Sequence, residues 1–184
     1  MTKAMVIALG ILIMLPMKAF ALDLGLTPDQ VYSHWSNINK AILSISKLTS
    51  KDAELIGRID AMEVRIFTGS TPGDILELAL HIEEKFDSLR IIAGLHPTRK
   101  IQISGASTTP TDVYILSSRI LLSAVEWIIN HSDKRRLVTK YFERLEFQGK
   151  TPSGVYGLVD LADRRLHLVL SDGFIRLRAA KETQ

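Results

Sequence analysis

The sequence predicts an all-α protein, a compact bundle of four major helices joined by long crossover connections. Two observations carry that reading. Four of the six prolines lie in Thr-Pro pairs at Thr27-Pro28, Thr71-Pro72, Thr109-Pro110 and Thr151-Pro152, spaced 44, 38 and 42 residues apart. Each pair also opens the same apolar pattern, with apolar residues at the fourth, eleventh, fifteenth and eighteenth positions after the Thr. These are Val31, Ile75, Val113 and Val155; Ile38, Ile82, Ile120 and Ala162; Ile42, Phe86, Ala124 and Leu166; Ile45, Leu89, Trp127 and Val169. Those offsets fall on one stripe of a helix, spaced like a coiled-coil seam.

Each start has a physical reason. A Thr at the N-cap can accept from a free amide of the first turn, and replacing such a cap with Ala costs about 1 kcal/mol. Proline at the first helical position gives up an N–H that would have had no intrahelical partner. Gln30, Asp74 and Asp112 occupy the third helical position, where Gln closes a capping box and Asp favours the positive helix end. Gly154 stands there in the fourth copy, which predicts the weakest start.

The expected helices run from about 28 to 47, 72 to 93, 110 to 131 and 152 to 170, the last ending at Asp172-Gly173. Between the first two, Lys51 to Met62 suits a helix, and Val64 to Phe67 suits extended chain. Residues 94–108 open with Gly94-Leu95-His96-Pro97 and exclude a helix; Ile101-Gln102-Ile103 alternates like a brief strand. Residues 132–150 read as a short amphipathic helix around Leu137 to Leu145, stopped near Gly149. A solenoid of stacked helix pairs is the alternative architecture, and the non-helical second connection speaks against it.

Residues 1–21 read as a signal peptide. A positive start at Lys3, an apolar run over residues 4–17 and Ala19-Phe20-Ala21 predict cleavage after Ala21 and export to a Gram-negative periplasm. Membrane contact is expected only if this segment is retained, and the run is short for a span. The remaining residues 22–184 form one helical domain with copies starting at 27, 71, 109 and 151. Removing Lys3 and Lys18 leaves 23 − 2 = 21 basic and 20 acidic residues, about +1. That balance gives no electrostatic case for nucleic acid. With no cysteine, thiol chemistry, thiolate metal sites and covalent haem attachment are excluded.

Candidate chemistry is sparse. His34, His81, His96, His131 and His167 form no metal-binding spacing, and no nucleophile elbow or phosphate-binding glycine loop is present. Glu83-Glu84 and Asp160 with Asp163 lie near Lys85, Arg164 and Arg165, as solvated faces or ion pairs do. No catalytic, cofactor-binding or metal-ligating residue is assigned. The expected recognition surface is Tyr32, Tyr114 and Tyr156, one residue off the stripe in three copies, with Trp35 at its edge.

Leu26-Thr27-Pro28-Asp29-Gln30 resembles the Leu-Thr-x-x-Gln motif of the Spy and CpxP-like periplasmic stress proteins. The resemblance covers five residues of the first copy. It implies a small all-helical protein of the ATP-independent chaperone or stress-regulator kind. The leading expectation is a non-enzymatic periplasmic interaction or scaffolding protein with an envelope protein as partner. The alternatives are such a chaperone, or a small-molecule-binding sensor module.

Overall fold

A computed structural model of the chain describes residues 24–100, 108–132 and 135–182, with side chains at 24–100, 108–132 and 138–171. The signal segment and the strand expected at 101–103 lie outside the described residues. Five α-helices appear: α1 (Pro28–Thr49), α2 (Ala53–Asp60), α3 (Pro72–Ile92), α4 (Pro110–His131) and α5 (Pro152–Glu182), with a 3-10 helix at Arg135–Tyr141. The fold is an all-α bundle without strands among the described residues.

All four Thr-Pro pairs open a major helix. At α3 and α4 the capping box closes with an acid. The Asp74 carboxylate accepts from the Thr71 N–H at 2.7 Å, and Asp112 accepts from the Thr109 N–H at 2.7 Å. The Thr71 backbone and hydroxyl donors hold the exposed Asp74 carboxyl below its ordinary pKa. At α1 the Gln30 amide oxygen accepts from the Thr27 N–H at 2.8 Å. At α5 the Thr151 hydroxyl accepts from the Gly154 N–H at 3.2 Å, and Gly154 has no side chain to answer.

The four starts meet. Pro28, Val31, Pro72, Ile75, Pro110, Val113, Pro152 and Val155 together line one small depression of about 10 Å³. The four major helices therefore run in the same direction from one end. They form a square in the order α1, α4, α3, α5, so α1 lies opposite α3 and α4 opposite α5. Pairs of like height join neighbouring helices: Lys85 with Asp163 at 2.7 Å, and Arg119 with Glu83 at 2.8 Å.

All sixteen stripe residues are buried. A fifth layer lies eight residues after each Thr, formed by Trp35, Ala79, Ser117 and Val159, all fully buried. Large and small side chains compensate within layers. Trp35 shares its level with Ala79 and Ser117, and Phe86 shares its level with Ala124, the alternation of large and small that lets facing layers interdigitate.

A parallel bundle forces each connection to travel back the length of a helix, about 30 Å at 1.5 Å per residue. Helical chain cannot cover that in ten residues, whereas extended chain at about 3.3 Å per residue can. Residues 61–71 accordingly descend across the outside of α5, and 142–150 across the outside of α1. The amphipathic helix expected at Leu137 to Leu145 is thus corrected: a 3-10 helix ends at Tyr141, and the chain beyond is extended. Side chains on α1 replace the lost helical hydrogen bonds, with Asn37 donating to the Glu143 carbonyl at 2.7 Å and Ser33 accepting from the Leu145 N–H at 3.0 Å. The end expected at Asp172-Gly173 is also corrected, since α5 continues to Glu182. A helical Gly costs only about 1 kcal/mol, and no proline follows to stop the helix.

Candidate functional site

The four aromatic residues singled out from the sequence do not form one surface. Trp35 is fully buried in the core, because its position eight residues after Thr27 belongs to the seam itself. Tyr32 packs edge-on against Phe147, with the Lys150 ammonium 4.4 Å above its ring. Tyr156 packs edge-on against Phe67, and Tyr114 lies 4.7 Å from the His34 ring. The tyrosines hold down connections and a neighbouring helix rather than lining a shared pocket.

These contacts expose a longer pattern around three of the four helix starts. Phe67 and Phe147 each stand four residues before a Thr-Pro pair and meet the Tyr five residues after another. Gly25, Gly69 and Gly149 each stand two residues before the Thr and adopt positive φ of 64°, 76° and 71°. The left-handed region favours glycine, so this Gly-x-Thr-Pro spelling was a legible turn signal. Each arriving chain then docks on the first turn of a neighbour. The Lys150 N–H donates to Asp29 at 2.6 Å, the Ser70 N–H to Ser153 at 3.0 Å, and the Leu24 N–H to Thr111 at 3.2 Å.

One side of α1 borders a cleft of about 780 Å³, closed by residues 25–27, Tyr114 and the 142–148 crossover. Its wall includes Asn37, only 3% exposed, whose Oδ1 is buried and unpartnered while its amide nitrogen holds Glu143. His34 Nε2 is likewise buried without a partner. Burial pushes the His34 imidazole down to about 4, against the opposing pull of the Ser117 backbone, so the ring is neutral at pH 7.

The buried charges serve the architecture. Arg165 donates to the carbonyls of Ile59, Asp60 and Met62 at the end of α2 and to Asn39 Oδ1. Arg90 holds the His96 carbonyl at 2.8 Å and the Glu126 carboxylate at 2.6 Å. Burial raises the Glu83 carboxyl's pKa against the pull of Arg119. Among the described residues no cluster of three or more His, Asp or Glu could hold a metal, and no helix is long and apolar enough to cross a membrane.

The outer face of α4 differs from those of its neighbours. Ile115, Leu122 and Ile129 recur every seven residues along it; Ile115 is 39% and Leu122 57% exposed, and Ile129 is half-buried. The same positions on α1 carry Ser33, Lys40 and Lys47, and on α5 Gly157, Arg164 and Ser171. On α3 they carry Glu77, Glu84 and Ile91. Leu24, also exposed, is tied to the start of this face through Thr111. The signal open to sequence reading is the seven-residue recurrence of Ile115, Leu122 and Ile129, which the sequence analysis did not single out. Nothing in its spacing separated it from a buried one.

In Leu26-Thr27-Pro28-Asp29-Gln30, Thr27 and Gln30 work as the α1 cap. The chain matches no protein-family model, no curated protein and no solved structure, so the α4 face and the α1 cleft are read from their geometry.

Proposed function

We propose that this chain is an exported, non-enzymatic interaction or scaffolding protein that binds another protein through the outer face of α4. One observation carries the reading: a heptad-spaced apolar stripe, Ile115–Leu122–Ile129, which the equivalent positions of α1, α3 and α5 do not repeat. Exposed apolar side chains aligned along one helix mark an interaction surface, whereas single scattered ones do not. Three residues in line on one helix suit one helix-sized partner better than the varied unfolded chains a chaperone must hold. The signal segment read from the sequence supports a partner in the cell envelope.

The test is affinity capture from envelope extracts with the mature protein, its Leu122→Lys variant and a control, Lys40→Glu, on the matching position of α1. One dominant partner should be retained by wild type and the control and lost with Leu122→Lys. Equal retention by all three would remove the assignment to α4. Suppression of aggregation of unrelated unfolded proteins at stoichiometric ratio would favour the chaperone instead.

A second reading, a small-ligand module, is favoured by the unpartnered Asn37 Oδ1 and His34 Nε2 beside the α1 cleft. A ligand there would donate a hydrogen bond to the Asn37 Oδ1, the acceptor that the Glu143 contact leaves unused. A melting-temperature rise with one compound of a metabolite screen, absent in Asn37→Leu, would select it.

A further inference from the structure

We infer that the occupant of the α4 face is a second copy of the chain, with two α4 helices crossing antiparallel about a twofold axis at Leu122. This rests on the reading of that face as the binding surface and names its partner.

The first question is whether the face takes extended chain, as α1 and α5 do. On those helices the arriving backbone passes over the sixth residue after the Thr. Ser33 there accepts from the Leu145 N–H, and a Cβ on Gly157 would lie 2.6 Å from the Arg65 carbonyl oxygen. A small residue is the condition for that approach. On α4 the position is Ile115, whose branched side chain holds a backbone away. Side chains from a helix whose axis lies about 8–10 Å off can interdigitate with it instead. The seven-residue spacing of Ile115, Leu122 and Ile129 is likewise the spacing at which one helix meets another along a seam.

The second question is which helix. In an antiparallel pair centred on Leu122, Ile115 meets Ile129 of the second copy and Leu122 meets its own equivalent. Glu126, with its side chain 53% exposed, then faces Ser118 of the second copy and not another carboxylate. A parallel pair would set Glu126 against Glu126. It would also place the two sets of four positive helix ends side by side, where the antiparallel pair sets positive ends beside negative ones. Arg119, the nearest cation on this face, is turned inward to Glu83 at 2.8 Å and to the Arg99 carbonyl at 2.6 Å, so it presents little charge to a partner. The stripe is self-complementary, as a twofold interface requires.

The twofold axis makes a sharp test, because residue 122 faces itself. Sedimentation velocity on the mature protein at concentrations up to about 100 μM should show a dimer that dissociates on dilution. Leu122→Lys and Leu122→Glu should each weaken self-association at least about tenfold, since each sets like charges across the axis. Mixing the two variants should restore a one-to-one dimer, and unchanged melting curves would show that both fold. A monomer at all concentrations, or a dimer indifferent to both substitutions, overturns the inference. A failure of the mixed pair to associate overturns the twofold geometry. If wild type is monomeric yet Leu122→Lys still loses a captured envelope protein, the second-copy inference falls and the proposed function stands; if neither changes, both fall.

Discussion

At the scale of single residues, the crossovers depend on side chains chosen for what passes over them. Gly157 lies inside α5, where Ala is ordinarily about 1 kcal/mol better than Gly. A Cβ there would meet the Arg65 carbonyl oxygen at 2.6 Å and Val64 at 2.9 Å, so Gly157→Ala must displace a backbone. The overpacking cost should reverse the sign, giving a net loss of about 1–2 kcal/mol in denaturant unfolding; a gain would show that the crossover is loosely held. His34 offers a pH readout. Its folded pKa, about 4, lies below the ordinary 6.5, so the unfolded chain binds the proton more readily. Stability is therefore fully present above about pH 6.5 and is lost as pH falls from there towards 4. By pH 4.5 that loss should reach about 2.5 kcal/mol, a melting-temperature drop of roughly 5–10 °C. His34→Gln should lack this part of the acid drop. Parallel melting-temperature profiles for the two proteins would show that His34 is not held neutral.

At the scale of elements, the helix starts were legible because each is decided within a few residues. Thr supplies the acceptor, Pro the preset φ and the third position the returning side chain. The fourth start shows what remains when one part is missing. Gly154 is helical, its Cβ position is only 3.7 Å from the Thr151 hydroxyl, and the Asp equivalents in α3 and α4 close on the Thr N–H at 2.7 Å. Gly154→Asp should complete the box, add helix propensity and place a negative charge at a positive helix end, raising stability by about 1 kcal/mol. The same change made in a Thr151→Ala background should gain less, since the box has two halves; equal gains would mean that propensity alone acts. The elements that sequence reading misplaced were decided elsewhere in the molecule. Residues 142–148 carry a helix-compatible pattern, yet Ser33 and Asn37 on α1 take their backbone groups and the distance to be covered demands extended chain. The far end of α5 was read from Asp172-Gly173 alone, a local signal worth too little to stop a helix.

At the scale of the whole molecule, the sequence marked four equivalent starts but not their direction in space. A repeat every forty or so residues suits antiparallel pairs, a solenoid or a parallel ring equally well. The choice rests on connections whose extended course depends on contacts far along the chain. The recognition surface was obscured for a related reason. Tyrosines one step off the seam were expected to gather, but in the parallel ring Tyr32 and Tyr156 each face the chain descending over their own helix, and Tyr114 faces His34 on α1. The α4 stripe could be told from a core stripe only once the square was assembled. The parallel order has a kinetic consequence. In an up-and-down bundle, helices adjacent in sequence pack first and closures are short. Here α1 packs against α4 and α5, and α3 against α5, so most of the stabilising contacts close loops of eighty residues or more. Loop-closure entropy must be met before those contacts form, and folding slows as mean contact separation grows. This all-α domain should therefore refold on the millisecond-to-second scale of β-sandwiches rather than the microsecond-to-millisecond scale of helical bundles. Stopped-flow refolding from urea, followed by the buried Trp35 and Trp127, measures it directly. Complete folding within the instrument's dead time would mean that the ring assembles from locally stable parts, against the topology described.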